Sequence, residues 1–89
     1  MRWRVEFSKV GERDLGVLDR PIRREIIDRL EWLSANFDSI TPLALHGQWK
    51  GFFKLRVGDW RIVYKFDFSK QLIDVRLIDH RSKIYKRNK

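Results

Sequence analysis

Residues 50–68, KGFFKLRVGDWRIVYKFDF, contain two segments in which apolar and polar residues alternate. Apolar residues recur at every second position on both sides of Gly58-Asp59, as in strands that bury one face. The Gly-Asp pair suits a two-residue hairpin turn, in which glycine accepts the positive φ that the turn requires. One face of the predicted hairpin is apolar, with Phe53, Leu55, Val57, Trp60, Ile62, Tyr64, Phe66 and Phe68. The other face carries the cations Lys50, Lys54, Arg56, Arg61 and Lys65.

One strand and two helices are predicted before the hairpin, and one strand after it. Residues 3–7 alternate apolar and charged side chains, which indicates the first strand. Ser8 offers an N-cap for a short helix that runs through Leu18. Residues 19–21, Asp-Arg-Pro, begin a longer helix. Its apolar stripe has helical spacing: Ile22, Ile26, Leu30, Leu33 and Phe37. The last strand is expected to place Ile73, Val75 and Leu77 on one face.

These elements predict a small α+β fold in the order β-α-α-β-β-β. Two helices precede an antiparallel meander, so we expect an antiparallel sheet with both N-terminal helices packed on one face. At 89 residues the chain is too short for more than one ordinary domain, and a single domain over residues 1–89 is expected.

Composition narrows the classes of function. The chain has 20 Lys and Arg against 12 Asp and Glu, a net charge of +8, which favours a polyanionic partner. Nucleic acid is the first choice, ahead of an anionic membrane face and an acidic protein. The absence of cysteine excludes disulfides, zinc-thiolate sites and thiol nucleophiles, and no cofactor or metal is expected. The apolar runs are too short for a signal or membrane segment, so the expected location is cytoplasmic.

A cationic strand face that includes Phe52 suits single-stranded nucleic acid, because phosphates meet the cations while bases stack on rings. The alternative is a solvated sheet face, since lysine commonly protects edge strands. The excess of arginine and the basic tail favour binding. That tail holds Arg81, Lys83, Lys86, Arg87 and Lys89 without an acid.

His80-Arg81-Ser82-Lys83-Ile84-Tyr85 adds an imidazole, cations and a phenol within six residues. RNA can be cut without metal when its 2′-OH attacks the adjacent phosphate. The reaction needs a proton acceptor, cations on the phosphate and a donor for the leaving oxygen. Tyr85 could move a proton only if nearby cations lower its pKa from about 10, and the dense lysines and arginines are expected to lower it.

The hairpin segment KLRVGDWRIVY (54–64) and the ending IDHRSKIY (78–85) resemble the RelE/ParE superfamily of toxins from type II toxin–antitoxin systems, and most of all its RelE branch. The resemblance covers nearly the whole chain. It implies a RelE-like microbial ribonuclease fold and a metal-independent endoribonuclease. Such an enzyme cleaves messenger RNA in the ribosomal A site, leaves a 2′,3′-cyclic phosphate and inhibits translation.

The resemblance also implies roles for individual residues. Lys54 matches a lysine that acts as base or holds charge near the 2′-OH, and Arg61 matches the arginine that stabilises the transition-state phosphate. Arg81 matches a C-terminal acid or phosphate clamp, and Tyr85 a tyrosine that orients the base or transfers a proton. RNA contacts are expected from Lys50, Phe52, Arg56, His80, Lys83, Lys86 and Arg87. Phe52 stands where some relatives carry a second lysine, so Lys50 or His80 could share the work of the base.

Two other activities fit the same resemblance. One is a ParE-like toxin that inhibits DNA gyrase without cleaving anything. The other is an inactive toxin that acts only with its antitoxin in repressing their operon. In every case the resemblance implies an acidic antitoxin as partner, in a toxin–antitoxin hetero-oligomer, while the ribosome and messenger RNA are partners of the nuclease alone.

Overall fold

The computed structural model describes residues 2–88, so Met1 and Lys89, the last residue of the predicted basic tail, lie outside the described part of the chain. Its helices and strands are β1 (Arg4–Phe7), α1 (Lys9–Gly16), α2 (Arg20–Asn36), β2 (Leu43–Ala44), β3 (Phe53–Val57), β4 (Trp60–Asp67) and β5 (Leu72–His80). Short 3-10 turns lie at Phe37–Ser39, Gly47–Trp49 and Ile84–Lys86. The predicted order of elements is confirmed, and the two-residue β2 is added to it.

The strands form one sheet in the order β1-β5-β4-β3-β2. The pairs β2–β3, β3–β4 and β4–β5 are antiparallel, whereas β1 runs parallel to β5 with Val5 opposite Ile73. The predicted α+β class is confirmed, although the sheet is mixed and not purely antiparallel. A tight turn can join only antiparallel neighbours, but β1 and β5 are separated by both helices and the meander, so parallel pairing is open to them.

Both helices begin where the sequence predicts. The Ser8 side chain accepts a hydrogen bond from the Gly11 N–H at 3.0 Å, which caps α1. Asp19 precedes α2, and Pro21 lies in its first turn, where a missing N–H costs no helical bond. Within residues 2–88 neither helix is long and apolar enough to cross a membrane.

The sheet face that α2 covers holds the larger apolar core. The core joins the predicted stripe of α2 to the predicted apolar face of the β3–β4 hairpin, which confirms both patterns. Its buried members are Trp3, Ile26, Leu30, Leu33, Phe37, Leu55, Val57, Ile62, Tyr64, Ile73, Val75 and Ile78.

A β-bulge reverses the alternation of β5. Tyr64 is opposite Val75 and Val63 is opposite Leu77, so Arg76 is an extra residue in β5. The prediction that Leu77 shares the face of Val75 is therefore wrong, because one inserted residue turns every later side chain over. Leu77 packs on the face away from α2.

The helix α1 covers the part of β5 that extends beyond β1. The Ser8 N–H donates to Val75 O at 2.9 Å, and Asp14 Oδ2 accepts from the Ile78 N–H at 2.9 Å. A Cβ at Gly11 would lie 2.5 Å from Val75 O, so this approach requires glycine. These contacts satisfy backbone groups that an open sheet edge would expose. They also bring the Asp14 carboxylate to the end of the sheet where the C-terminal residues fold back.

Candidate nucleic-acid interface

Four cations lie on the sheet face away from α2, and we call this surface the cationic face: Lys54 and Arg56 of β3 with Arg61 and Lys65 of β4. Arg56 is directly opposite Arg61 in the antiparallel register. Like charges in that position destabilise a sheet. The arrangement therefore does not serve folding, and it suits a polyanionic ligand.

The carboxylate that stands opposite Arg61 is bound elsewhere. Asp79 faces Arg61 across the β4–β5 pair, but its Oδ2 lies 3.3 Å from Arg87 Nη1. Within residues 2–88, the four members of the cationic face have no carboxylate oxygen within 4.0 Å. Their charge is consequently available to a ligand.

The Arg61 guanidinium is held by the hairpin turn. Its Nη1 donates to Gly58 O and to Trp60 O, both at 2.8 Å. Neither acceptor carries a net charge, so the side chain is fixed without being neutralised. The opposite edge of the planar guanidinium retains the donors that bind two oxygens of a phosphate.

The C-terminal residues 81–88, which we call the tail, dock on a second and smaller apolar cluster. Its buried members are Trp49, Val63, Leu77 and Ile84. Ile84 comes from the tail and is fully buried. Arg87 then pairs with Asp14 at 2.9 Å and with Asp79 at 3.3 Å, which ties the tail to α1 and β5.

Docking of the tail places Tyr85 beside the cationic face. Burial raises the pKa of Tyr85 above its usual value, and Arg61 and Arg56 only partly oppose that rise. The hypothesis that dense cations lower this pKa is therefore wrong, because loss of hydration outweighs their attraction. Tyr85 Oη is buried and has no hydrogen-bond partner among residues 2–88. Tyr85 is thus a neutral phenol with an unused donor.

Two further predicted catalytic residues flank this centre. Lys54 is half-buried, between Val63 on one neighbouring strand and Leu43 on the other. Arg81 lies beside the hairpin turn, where its N–H donates to Asp59 O at 2.8 Å. Its guanidinium Nε lies 3.6 Å from Asp59 Oδ1, with 63% of the side chain exposed. An exposed pair of this kind is weak, so a phosphate can displace it.

The structure separates the residues that were predicted to contact RNA. Arg56 belongs to the cationic face and Phe52 contacts Lys65 there, whereas Lys50, Lys83 and Lys86 are exposed in turns of the chain. His80 is opposite Trp60, whose ring packs on the α2-covered core, and the two rings are 5.6 Å apart. Arg87 is occupied by its two carboxylates. The structure thus places His80 against the ring of Trp60, whereas Arg87 lies near Arg61 but is engaged by the two carboxylates.

Sequence reasoning missed the residues that build the tail's dock. Asp14 and Arg87 are 73 positions apart, so no local pattern relates them. Trp49 is buried as well, and its Nε1 has no hydrogen-bond partner among residues 2–88. The Trp49 and Tyr85 rings lie 6.3 Å apart, so two unused donors share the second cluster. No group of three or more metal-ligating side chains was found in the described residues.

Comparisons with known proteins agree on one family. The model of the ParE toxin of type II toxin–antitoxin systems matches residues 5–85. None of the curated proteins matches the sequence.

Solved structures of RelE toxins share the fold. The toxin–antitoxin complex RelBE2 from Mycobacterium tuberculosis contains a chain that is 24% identical, with 92% of this chain and 94% of that chain covered and a TM-score of 0.81. In the archaeal RelE–RelB complex from Pyrococcus horikoshii, the matching chain is 19% identical. The match covers 93% of this chain and 99% of that chain, with a TM-score of 0.72. The isolated RelE toxin of E. coli is 18% identical. The match covers 94% of this chain and 92% of that chain, with a TM-score of 0.73.

The resemblance predicted from the hairpin and the C-terminal motif is confirmed by these matches. The family model spans both helices, the whole sheet and the start of the tail up to Tyr85. The chain is a toxin of a toxin–antitoxin system and belongs to the ParE toxin family, within the RelE/ParE superfamily and with a fold close to that of RelE.

Proposed function

We propose that this toxin is an endoribonuclease that cleaves messenger RNA in the ribosomal A site without a metal ion. One observation carries the proposal. The cationic face keeps Lys54, Arg56 and Arg61 without carboxylate partners in residues 2–88, and it adds the unused donor of Tyr85. A surface that only kept the protein soluble would gain nothing from a buried, unpaired hydroxyl group.

The reaction is an attack of a ribose 2′-oxygen on the adjacent phosphorus. The 2′-O–P bond forms, the P–O5′ bond breaks, and the product is a 2′,3′-cyclic phosphate with a free 5′-OH. Arg61 stabilises the charge that develops on the phosphate oxygens, since its free edge matches two of them. Lys54 lies beside the 2′-OH. As a neutral amine it accepts the 2′-proton, and as a cation it favours the alkoxide while a water molecule accepts the proton.

Tyr85 and Arg81 act on the other side of the phosphate. Because its pKa is raised, Tyr85 stays protonated at neutral pH and donates a hydrogen bond, so it is unsuited to the role of base. Arg81 is exposed at the hairpin turn and clamps the phosphate after leaving Asp59. The proton for the leaving 5′-oxygen comes from Tyr85, because the Arg81 guanidinium does not give up a proton in proteins.

The net charge of the chain and the complexes formed by its RelE relatives support the proposed partners. A net charge of +8 suits both RNA and an acidic antitoxin. RelE relatives are found in complexes with the antitoxin RelB. We propose a cognate antitoxin that covers the cationic face, and a cytoplasmic location, where ribosomes and messenger RNA meet the toxin.

Inhibition of DNA gyrase is the second candidate. It is favoured by the match to the ParE family model over residues 5–85. A gyrase inhibitor would need the surface of the toxin and not the chemistry of Lys54, Arg61 and Tyr85.

Programmed ribosomes separate the two candidates. Purified toxin is incubated with ribosomes stalled on a defined message, and new 5′ ends are mapped by primer extension. Cuts inside the A-site codon are expected, together with unchanged supercoiling by gyrase. Intact messages with blocked supercoiling would overturn the nuclease and support the gyrase inhibitor.

Arg61→Ala tests the site itself. Removal of one transition-state donor lowers kcat by about 10²–10³-fold. Arg61→Lys should stay strongly impaired, because lysine keeps the charge but loses the planar fork. Arg24→Ala is the matched control, since it removes an exposed arginine of α2. Equal cleavage by the Arg61→Ala and Arg24→Ala variants would show that the assigned site is wrong.

A further inference from the structure

We propose that Lys65 is a further phosphate-binding residue, which holds the RNA phosphate next to the one that reacts. The inference rests on the proposed nuclease function and deepens it. The sequence places Lys65 among the cations that are expected to meet phosphates, but the family motif gives it no position in the site. Three observations on its position, its orientation and its missing counter-ion carry the assignment.

The register places Lys65 beside Lys54. Lys54 is opposite Val63, and Lys65 follows Val63 by two positions on β4. Lysines in this diagonal relation across an antiparallel pair have Cα atoms about 7–8 Å apart and point to the same face. Lys54, Lys65 and the opposed pair Arg56 and Arg61 therefore form one continuous row of cations, long enough for more than one phosphate.

The ammonium group of Lys65 is oriented by an aromatic ring. Lys65 Nζ lies 4.7 Å from the centre of the Phe52 ring. A cation over a ring face is attracted by the π-electrons without losing its charge. Phe52 is itself supported by the second cluster, where its ring meets Trp49 at 5.6 Å. The contact restricts a flexible side chain at the surface and leaves its hydrogen-bond donors to a ligand.

The carboxylate opposite Lys65 is bound elsewhere, as at Arg61. Asp74 faces Lys65 in the β4–β5 register, but its Oδ2 lies 3.3 Å from Arg76 Nη1. Arg76 is the residue inserted by the bulge. The bulge therefore supplies a cation that engages Asp74 and leaves Lys65 unpaired within residues 2–88. Arg61 and Lys65 are left unpaired in the same way. In each case an arginine engages the carboxylate that stands opposite: Arg87 of the tail binds Asp79, and Arg76 of β5 binds Asp74.

Binding of single-stranded RNA tests the assignment without requiring cleavage. The logarithm of the affinity for a fluorescent RNA oligomer is plotted against the logarithm of the salt concentration. Each phosphate contact in a single strand contributes about 0.7 to the slope. Lys65→Ala should lower the slope by about 0.7, and Lys65→Arg should restore it. Lys70→Ala is the control, since Lys70 is an exposed lysine in the β4–β5 turn.

Cleavage of programmed ribosomes is measured on the same proteins. We expect Lys65→Ala to raise KM more than it lowers kcat, because its phosphate is not the reacting one. Equal slopes for Lys65→Ala and Lys70→Ala would overturn the inference, whether or not the wild-type toxin cleaves. A wild-type toxin that leaves every message intact, with a slope that still falls in Lys65→Ala, would overturn the nuclease and retain Lys65 as a phosphate contact.

Discussion

The two faces of the sheet differ in what they bury and in which polar groups they leave unpaired. The face under α2 buries a continuous apolar core that contains Trp3, Phe37 and Tyr64, whose rings pack edge to face or tilted. The opposite face has a smaller cluster, to which the tail contributes Ile84 and the Gly47–Trp49 turn contributes Trp49. Beside that cluster lie opposed arginines and two buried donors without partners in residues 2–88.

This difference places the main apolar core on one face of the sheet and the candidate site on the other. Apolar burial on the α2 side is the main source of folding free energy. On the other side, the opposed Arg56 and Arg61 repel each other and the two buried donors lack partners in residues 2–88, and both features cost free energy. Polar groups that remain unsatisfied in a folded protein are characteristic of sites that act on a ligand. Three predictions test this division, from the largest expected effect to the smallest.

Ile26 and Ile84 are fully buried isoleucines on opposite faces. Ile26→Ala should lower the free energy of unfolding by about 2–5 kcal/mol, the usual range for such a truncation. Ile84→Ala should lower it less, because the tail can undock while the sheet stays folded. Urea denaturation measures both changes. Ile84→Ala should also expose the amides of residues 81–88 to hydrogen exchange and reduce cleavage by displacing Tyr85. Equal losses of stability would mean that the two faces form one cooperative unit.

The buried Tyr64 is expected to make the free energy of unfolding depend on pH in the alkaline range. Burial raises the pKa of Tyr64 from 10.0 to about 12. Below pH 10 the phenol is protonated in both states, and its contribution to stability is fully present. Between pH 10 and 12 the unfolded chain releases the proton first, so stability falls as pH rises. Relative to Tyr64→Phe, the wild type should lose about 2 kcal/mol more between pH 9 and pH 12. Parallel stability curves for the two proteins would contradict this linkage.

The smallest expected difference in stability is between removal of the Ser34 hydroxyl group and removal of the Tyr85 hydroxyl group. On the α2 side, buried Ser34 donates to Trp3 O, and Ser34→Ala should cost about 1 kcal/mol of stability. On the other side Tyr85 Oη has no partner in residues 2–88, and Tyr85→Phe should leave stability unchanged or raise it by up to about 1 kcal/mol. Thermal unfolding at neutral pH compares the two variants. A loss of stability in Tyr85→Phe as large as that in Ser34→Ala would show that this hydroxyl group serves the fold.

The sequence predicted the fold where side chains alternate without interruption. The hairpin over residues 50–68 and the stripe of α2 were placed on the correct faces because their periods are regular. The face of Leu77 was wrong because the bulge at Arg76 leaves no mark in the alternation. The parallel pairing of β1 with β5 is also invisible in a local pattern, since it joins the two ends of the chain.

For the site, the sequence predicted which cations share a face but not which ones keep their charge. The pairing of Asp79 with Arg87 and of Asp74 with Arg76 depends on distances in space. The pKa of Tyr85 was assigned the wrong direction because the sequence shows the neighbouring cations and not the burial. The roles of Lys54, Arg61, Arg81 and Tyr85 remain predictions that the proposed experiments test.

The parallel pair β1–β5 has a consequence for synthesis on the ribosome. Translation produces β1 before both helices and the meander, and β5 only after them, so the nascent chain holds Val5 and Phe7 without the strand that pairs with them. Contacts between distant parts of a chain also form slowly, because a long loop must close before they stabilise anything. The sheet therefore closes, and the tail docks, only after β5 and residues 81–88 have been synthesised. Until then the nascent chain lacks both the covered edge of β1 and the docked position of Tyr85, so the candidate site is incomplete.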